Sequence, residues 1–173
     1  KKKILIFSTP FDFESADFLD SLGVSAFKIA SADLVNIPLI RHVSSKLKPL
    51  IISTGMSKIS EIDDAVETVR STGNKNLILL HCNSSYPSPI TDVNLSAIKT
   101  LREITNCSVG WSDHSVSINV IMLAIYKWRA SHIEFHLDLD GQGEEFSTGH
   151  CWLPDQIHKV IKYIRESDII NRS

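Results

Sequence analysis

Short apolar runs rich in β-branched and aromatic residues recur along the chain, each running into polar or turn-forming residues. Six stand out: ILIFSTP (4–10), AFKIAS (26–31), PLIISTG (49–55), LILLHCN (77–83), SVGWSDH (108–114) and HIEFHLD (132–138). Their length and residue types predict strands. Between them the apolar spacing changes to three and four. Ile59, Ile62, Val66 and Val69 share one helical face, with Ser57 or Ser60 available as N-cap and Gly73 after the last turn. Leu95, Ile98, Leu101 and Ile104 repeat the pattern, as do Ile157, Val160, Ile161 and Ile164, and the apolar SINVIMLAIYKWRA precedes the last strand. Strand then helix, every 22–32 residues, predicts a parallel α/β sheet with right-handed crossovers.

Bulk composition narrows the function classes. The chain has 173 residues, 43% hydrophobic and 22% charged, with a net charge of −2. That is enough for one core and one domain. The balance offers no basic excess for nucleic acid. No apolar run approaches the roughly eighteen residues of a membrane span. Cys82, Cys107 and Cys151 are odd in number and widely spaced, which argues against a disulfide framework and for a cytoplasmic setting. No glycine-rich dinucleotide or P-loop motif is present.

In parallel α/β folds the chemistry gathers where strands end. The six ends here read Ser8-Thr9-Pro10, Lys28…Ser31, Ser53-Thr54-Gly55, His81-Cys82-Asn83, Ser112-Asp113-His114 and Glu134-Phe135-His136. In the last run, His132, Glu134, His136, Asp138 and Asp140 face one way, and Ile133, Phe135, Leu137 and Leu139 the other. An antiparallel strand with one wet face reads the same way. A barrel strand, apolar towards its helices and polar towards an inner site, fits the surrounding rhythm as well. His114 and His136 then end consecutive strands about 4.8 Å apart, where two imidazoles either share a divalent cation or form a hydrogen-bonded pair. Lys28 lies in an otherwise apolar strand, as a snorkelling end residue or a functional cation; Schiff-base chemistry is the competing use.

Taken in order, FSTPFDFESADFL, KIASADLVNIPLI, KPLIISTGMSKISEI, LLHCNSSYPSP, VGWSDHS and IEFHLD resemble the sialic acid synthase family, the N-acetylneuraminate synthases and related nonulosonic acid synthases. The resemblance implies a TIM-type (β/α)8 barrel, with residues 1–173 as one partial barrel holding the third to eighth strand–helix units. The family's first two units and its C-terminal antifreeze-like domain lie outside this chain. The implied reaction condenses phosphoenolpyruvate with an N-acyl amino sugar such as N-acetylmannosamine, releasing phosphate. Carried over by motif, His114 and His136 are the expected ligands of a divalent metal, manganese first, with magnesium or cobalt as alternatives. Thr9, Lys28, Ser31, Ser84 and Ser112 correspond to the phosphoenolpyruvate cradle, and Tyr86 to a sugar contact. Asp33 stands where the family often has a proton-transferring glutamate. The family's Gly-Pro-Asp loop is replaced by GQGEEFSTGHCW, in which Glu144 or Glu145 stands in for its carboxylate; Glu134 is a further candidate. A homodimer is expected from the family and from the two edges of an open barrel. A Schiff-base aldolase or lyase using Lys28, and a non-catalytic ligand-binding fragment, remain the alternatives.

Overall fold

The structure is a computed structural model that describes residues 4–172. Among the described residues, six strands form one parallel sheet in sequence order: β1 (Phe27–Ile29), β2 (Leu50–Ser53), β3 (Leu77–Cys82), β4 (Ser108–Asp113), β5 (Ile133–Leu137) and β6 (Cys151–Trp152). Each strand is joined to the next through a helix, which is how consecutive parallel strands are connected. The helices are α1 (Phe13–Ser21), α2 (Ile37–Ser44), α3 (Ile59–Ser71), α4 (Ala97–Thr105), α5 (Ile118–Tyr126), the single turn α6 (Glu144–Ser147) and α7 (Pro154–Arg172). All pairings are parallel, so the antiparallel reading of HIEFHLD does not hold.

The six strands are not the six expected from the sequence. Residues 4–10 form no strand; only Ser8 makes a bridge, to Phe27, and Ile4 to Phe7 are exposed. Strand propensity is present there, but the pairing with β1 extends to a single residue. The sixth strand is Cys151–Trp152, inside the stretch read as a loop. Two residues carry no period, so nothing in the pattern marks them.

The helices bury the faces their spacing predicts. Ile62, Val66 and Val69 of α3 and Ile98 and Leu101 of α4 pack with Ile52, Leu79, Val109 and Trp111 on the outer face of the sheet. Ile59 and Ile104, at the margins of those faces, are exposed. The α3 N-cap is Lys58 rather than either serine, because Glu61 reaches back to accept from the Lys58 backbone N–H at 2.7 Å. A smaller cluster of Ile121, Trp152, Ile157 and Val160 seats α5 and α7 against β5 and β6. With the outer face largely apolar, most of the polar strand residues collect on the inner face, towards the strand ends, His81 and Asp113 being the exceptions.

Candidate functional site

Strand register sets two rows of side chains across the inner face. Cys82 pairs with Ser112, and Ser112 pairs with Glu134, giving a lower row on β3, β4 and β5. Two residues further along each strand, on the same side by the two-residue pleat, come Ser84, His114 and His136. His136 in turn pairs with Cys151 of β6. A cavity of about 540 Å³ lies over both rows. Its lining includes Thr9, Lys28, Ser31, Ser84, Tyr86 and Ser112, together with His114, Glu134 and His136.

Lys28 enters from β1 and is only 8% exposed. Its ammonium group donates to Ser53 Oγ at 2.7 Å and to the Ile29 carbonyl at 3.1 Å, and lies 3.8 Å from Glu134 Oε2. Burial pushes its pKa below the ordinary lysine value, and the negative charge of Glu134 partly restores it. The Glu134 carboxylate accepts from Ser112 Oγ at 2.7 Å, so cation, carboxylate and hydroxyl form one chain across the cavity. Gly55 completes this wall: its N–H donates to Ser31 Oγ at 3.1 Å. A Cβ there would come within 2.4 Å of Ser84 Oγ and 3.0 Å of Ser31 Oγ, so only glycine leaves both hydroxyls in place.

The upper row carries the imidazoles. The His114 and His136 ring centroids are 5.3 Å apart. His114 Nδ1 sits 2.7 Å from the Asn83 carbonyl, which can only accept, so Nδ1 carries the proton and Nε2 keeps its lone pair. Burial lowers the His114 pKa, which favours the neutral ring that binds metal. Tyr86 lies 4.2 Å from the His114 ring, and burial raises its pKa, so its hydroxyl is a donor at neutral pH.

Not every expected residue joins the cavity. Asp33 ends the short turn Ser31–Asp33 after β1 and is absent from the lining, whereas Glu134 is part of it. Of the two loop glutamates, Glu145 approaches His136 Nδ1 at 3.4 Å; Glu144 is exposed. Sequence reasoning gave no role to His150, yet its ring centroid lies 4.6 Å from that of His136. Ser53 and Cys82, strand ends in the sequence, also line the cavity. His81 turns away, donating Nε2–H to the Val93 carbonyl at 3.0 Å and packing against Trp111.

Comparison with known proteins agrees with this architecture. The NeuB family matches residues 1–171. An N,N'-diacetyllegionaminic acid synthase of Legionella pneumophila is 40% identical over 167 residues, covering 94% of this chain and 47% of its own. A protein of the same name from Campylobacter jejuni is 39% identical over 142 residues, covering 81% and 42%. The chain thus spans about half the length of these curated relatives. A crystal structure of N-acetylneuraminic acid (sialic acid) synthetase from Leptospira borgpetersenii, in complex with citrate, superposes with a TM-score of 0.86 at 37% identity, covering 92% of this chain and 55% of that one. A truncated 3-deoxy-D-arabino-heptulosonate 7-phosphate synthase from Thermotoga maritima, 13% identical with a TM-score of 0.77, shares the fold. With its six parallel strands forming a half-barrel and nearly its whole length matched, the chain belongs to the NeuB family.

Proposed function

We propose that the protein carrying this chain condenses phosphoenolpyruvate with an N-acyl amino sugar, forming a sialic acid-type nonulosonic acid and releasing phosphate. The observation that carries this reading is the two-row cavity, with an ammonium group and hydroxyls below and two imidazoles one pleat above. A small acid carrying both a phosphate and a carboxylate needs the ammonium group and hydroxyls, and a carbonyl acquiring negative charge needs the imidazoles.

In the reaction, C3 of phosphoenolpyruvate bonds to the sugar aldehyde carbon, and the aldehyde π electrons move to its oxygen, which takes a proton. Water adds at C2 and loses one proton, matching the one taken up by the aldehyde oxygen; the C2–O bond to phosphate then breaks, the remaining hydroxyl proton leaves with the departing phosphate, and a 2-keto acid is left. Lys28, Ser31, Ser84 and Ser112, with Thr9, hold the phosphate and carboxylate. Tyr86 donates its hydroxyl to the sugar. Glu134, inside the cavity, moves the protons, with Asp33 on the turn after β1 as the alternative carboxylate. His114 and His136 fit a divalent cation, since His114 offers a free Nε2 lone pair towards the cavity; manganese, with magnesium or cobalt as alternatives, is the ion the family resemblance implies. Such a cation supplies Lewis-acid polarisation of the aldehyde.

The test is phosphate release by the protein at its full natural length, given phosphoenolpyruvate, manganese and a panel of N-acyl mannosamine-type sugars. Release with one or more sugars, and none without sugar, is expected. Release with no member of the panel contradicts the reading.

A further inference from the structure

The loop after β5 brings four metal-ligating side chains together beside the two-row cavity. One ligand atom from each of His136, Glu145, His150 and Cys151 lies within 4.8 Å of the other three. Three of them are fixed by the sheet. His136 and Cys151 are register partners on β5 and β6, so their side chains leave the same face. His150 precedes Cys151, and the two are 5% and 4% exposed. Gly149, at φ +87, turns the chain into β6 with a left-handed backbone that a side-chain-bearing residue rarely adopts.

The histidine is also oriented. Thr148 Oγ1 donates its own proton to the Glu145 carbonyl at 2.7 Å, so towards His150 Nδ1 it can only accept. His150 therefore carries its proton on Nδ1 and leaves Nε2 free, as His114 does. A hydrogen bond that fixes the tautomer of a ligating imidazole in this way is the usual support of a metal site.

We propose that His136, Glu145, His150 and Cys151 form a divalent metal site that selects a zinc- or cobalt-class cation over manganese. Two imidazoles, a carboxylate and a thiolate are the donors of a four-coordinate borderline-soft ion, whereas manganese favours oxygen. Zinc bonds nitrogen and oxygen at about 2.0–2.2 Å and sulfur at about 2.3 Å, so the set closes with side-chain adjustments of about an ångström. Glu145, exposed on the single-turn α6, is the ligand freest to move. The binding claim stands on this geometry; it meets the synthase reading only in sharing His136.

Cobalt is the probe, titrated into the chelator-treated full-length protein and followed by absorption. A thiolate-to-cobalt charge-transfer band with tetrahedral visible bands is expected. Cys151→Ser removes the charge-transfer band and Cys82→Ser leaves it. His150→Ala weakens cobalt binding by about tenfold or more, with His150→Gln as a second variant that keeps the side chain polar. His114→Ala leaves the band in place. A wild-type spectrum without the thiolate band overturns the proposal, and so does a band that survives Cys151→Ser. Full cobalt signatures without phosphate release from any sugar leave the site standing and remove the synthase reading. Phosphate release without a thiolate band does the reverse.

Discussion

Trp152 donates its indole N–H to Asp113 Oδ2 at 3.0 Å, tying β6 to the end of β4 on the helix-facing side of the sheet. Asp113 is 0% exposed and accepts four further hydrogen bonds, from Trp111 Nε1, Ser115 N, Ser115 Oγ and Val116 N. By strand alternation it faces away from the cavity that Ser112 and His114 line. Its work is to hold the turn that aims His114.

That arrangement makes Asp113→Asn costly despite its matched shape. An amide NH₂ would confront donors at one of the two oxygen positions, leaving buried N–H groups without acceptors. A stability loss of about 2–4 kcal/mol is expected, read from denaturant unfolding. Trp152→Phe removes one bond and leaves Oδ2 its Val116 partner, so a smaller loss of about 1–2 kcal/mol follows. Equal stability of Asp113→Asn and wild type contradicts the account.

Gly55→Ala tests the hydroxyl wall of the cavity with little change to the outer core. The added methyl group must displace the Ser84 and Ser31 hydroxyls, side chains that rotate easily. Stability should fall modestly, while the KM for phosphoenolpyruvate rises about tenfold or more, because misplaced groups bind poorly. A large unfolding defect with unchanged KM would show that Gly55 serves the fold alone.

The pH dependence follows from three imidazoles, His114 and His150 buried and His81 half-buried. His81, His114 and His150 all have pKa values below the ordinary 6.5, with burial the leading cause in each. The folded protein keeps them neutral, while the unfolded chain takes up protons below 6.5. Stability is therefore full above that pH and declines as pH falls from 6.5 towards the folded-state values, then levels off. Asp17 and Asp20, lowered by hydrogen bonds to Lys46 and Lys48 respectively, act in a separate window, losing their contribution below 3.8. Thermal unfolding of chelator-treated protein across roughly pH 7.5 to 5 should show the first decline. A flat or rising Tm on acidification contradicts it.

Lys28 separates the synthase from a Schiff-base enzyme. Its ammonium group is held by Ser53, the Ile29 carbonyl and Glu134, which suits anion binding. Borohydride reduction in the presence of pyruvate should leave the protein mass unchanged. A covalent adduct on Lys28 would instead establish the aldolase chemistry.

Much of this was legible in the sequence, for physical reasons that also explain the rest. Helical faces such as Ile62-Val66-Val69 repeat often enough to be read, and the strand ends carry Cys82-x-Ser84, Ser112-x-His114 and Glu134-x-His136 at the two-residue spacing that stacks the rows. Register between strands is not written locally, so the placing of Cys82, Ser112 and Glu134 in one row emerged only with the fold. β6 is too short for any period, and with it His150 and Cys151 passed without a role; Gly149 before His150-Cys151 was the one available cue. Residues 4–10 show the reverse error, since strand propensity does not guarantee a pairing partner.

The central claim is that an anion cradle around Lys28 and an imidazole pair at His114 and His136 serve one reaction. Its most direct test is phosphate release from phosphoenolpyruvate and the accepted sugar by full-length wild type, Lys28→Met and His114→Ala, each first shown to be folded. The account predicts that either substitution lowers kcat/KM by about a hundredfold or more. Wild-type rates in both variants would contradict it.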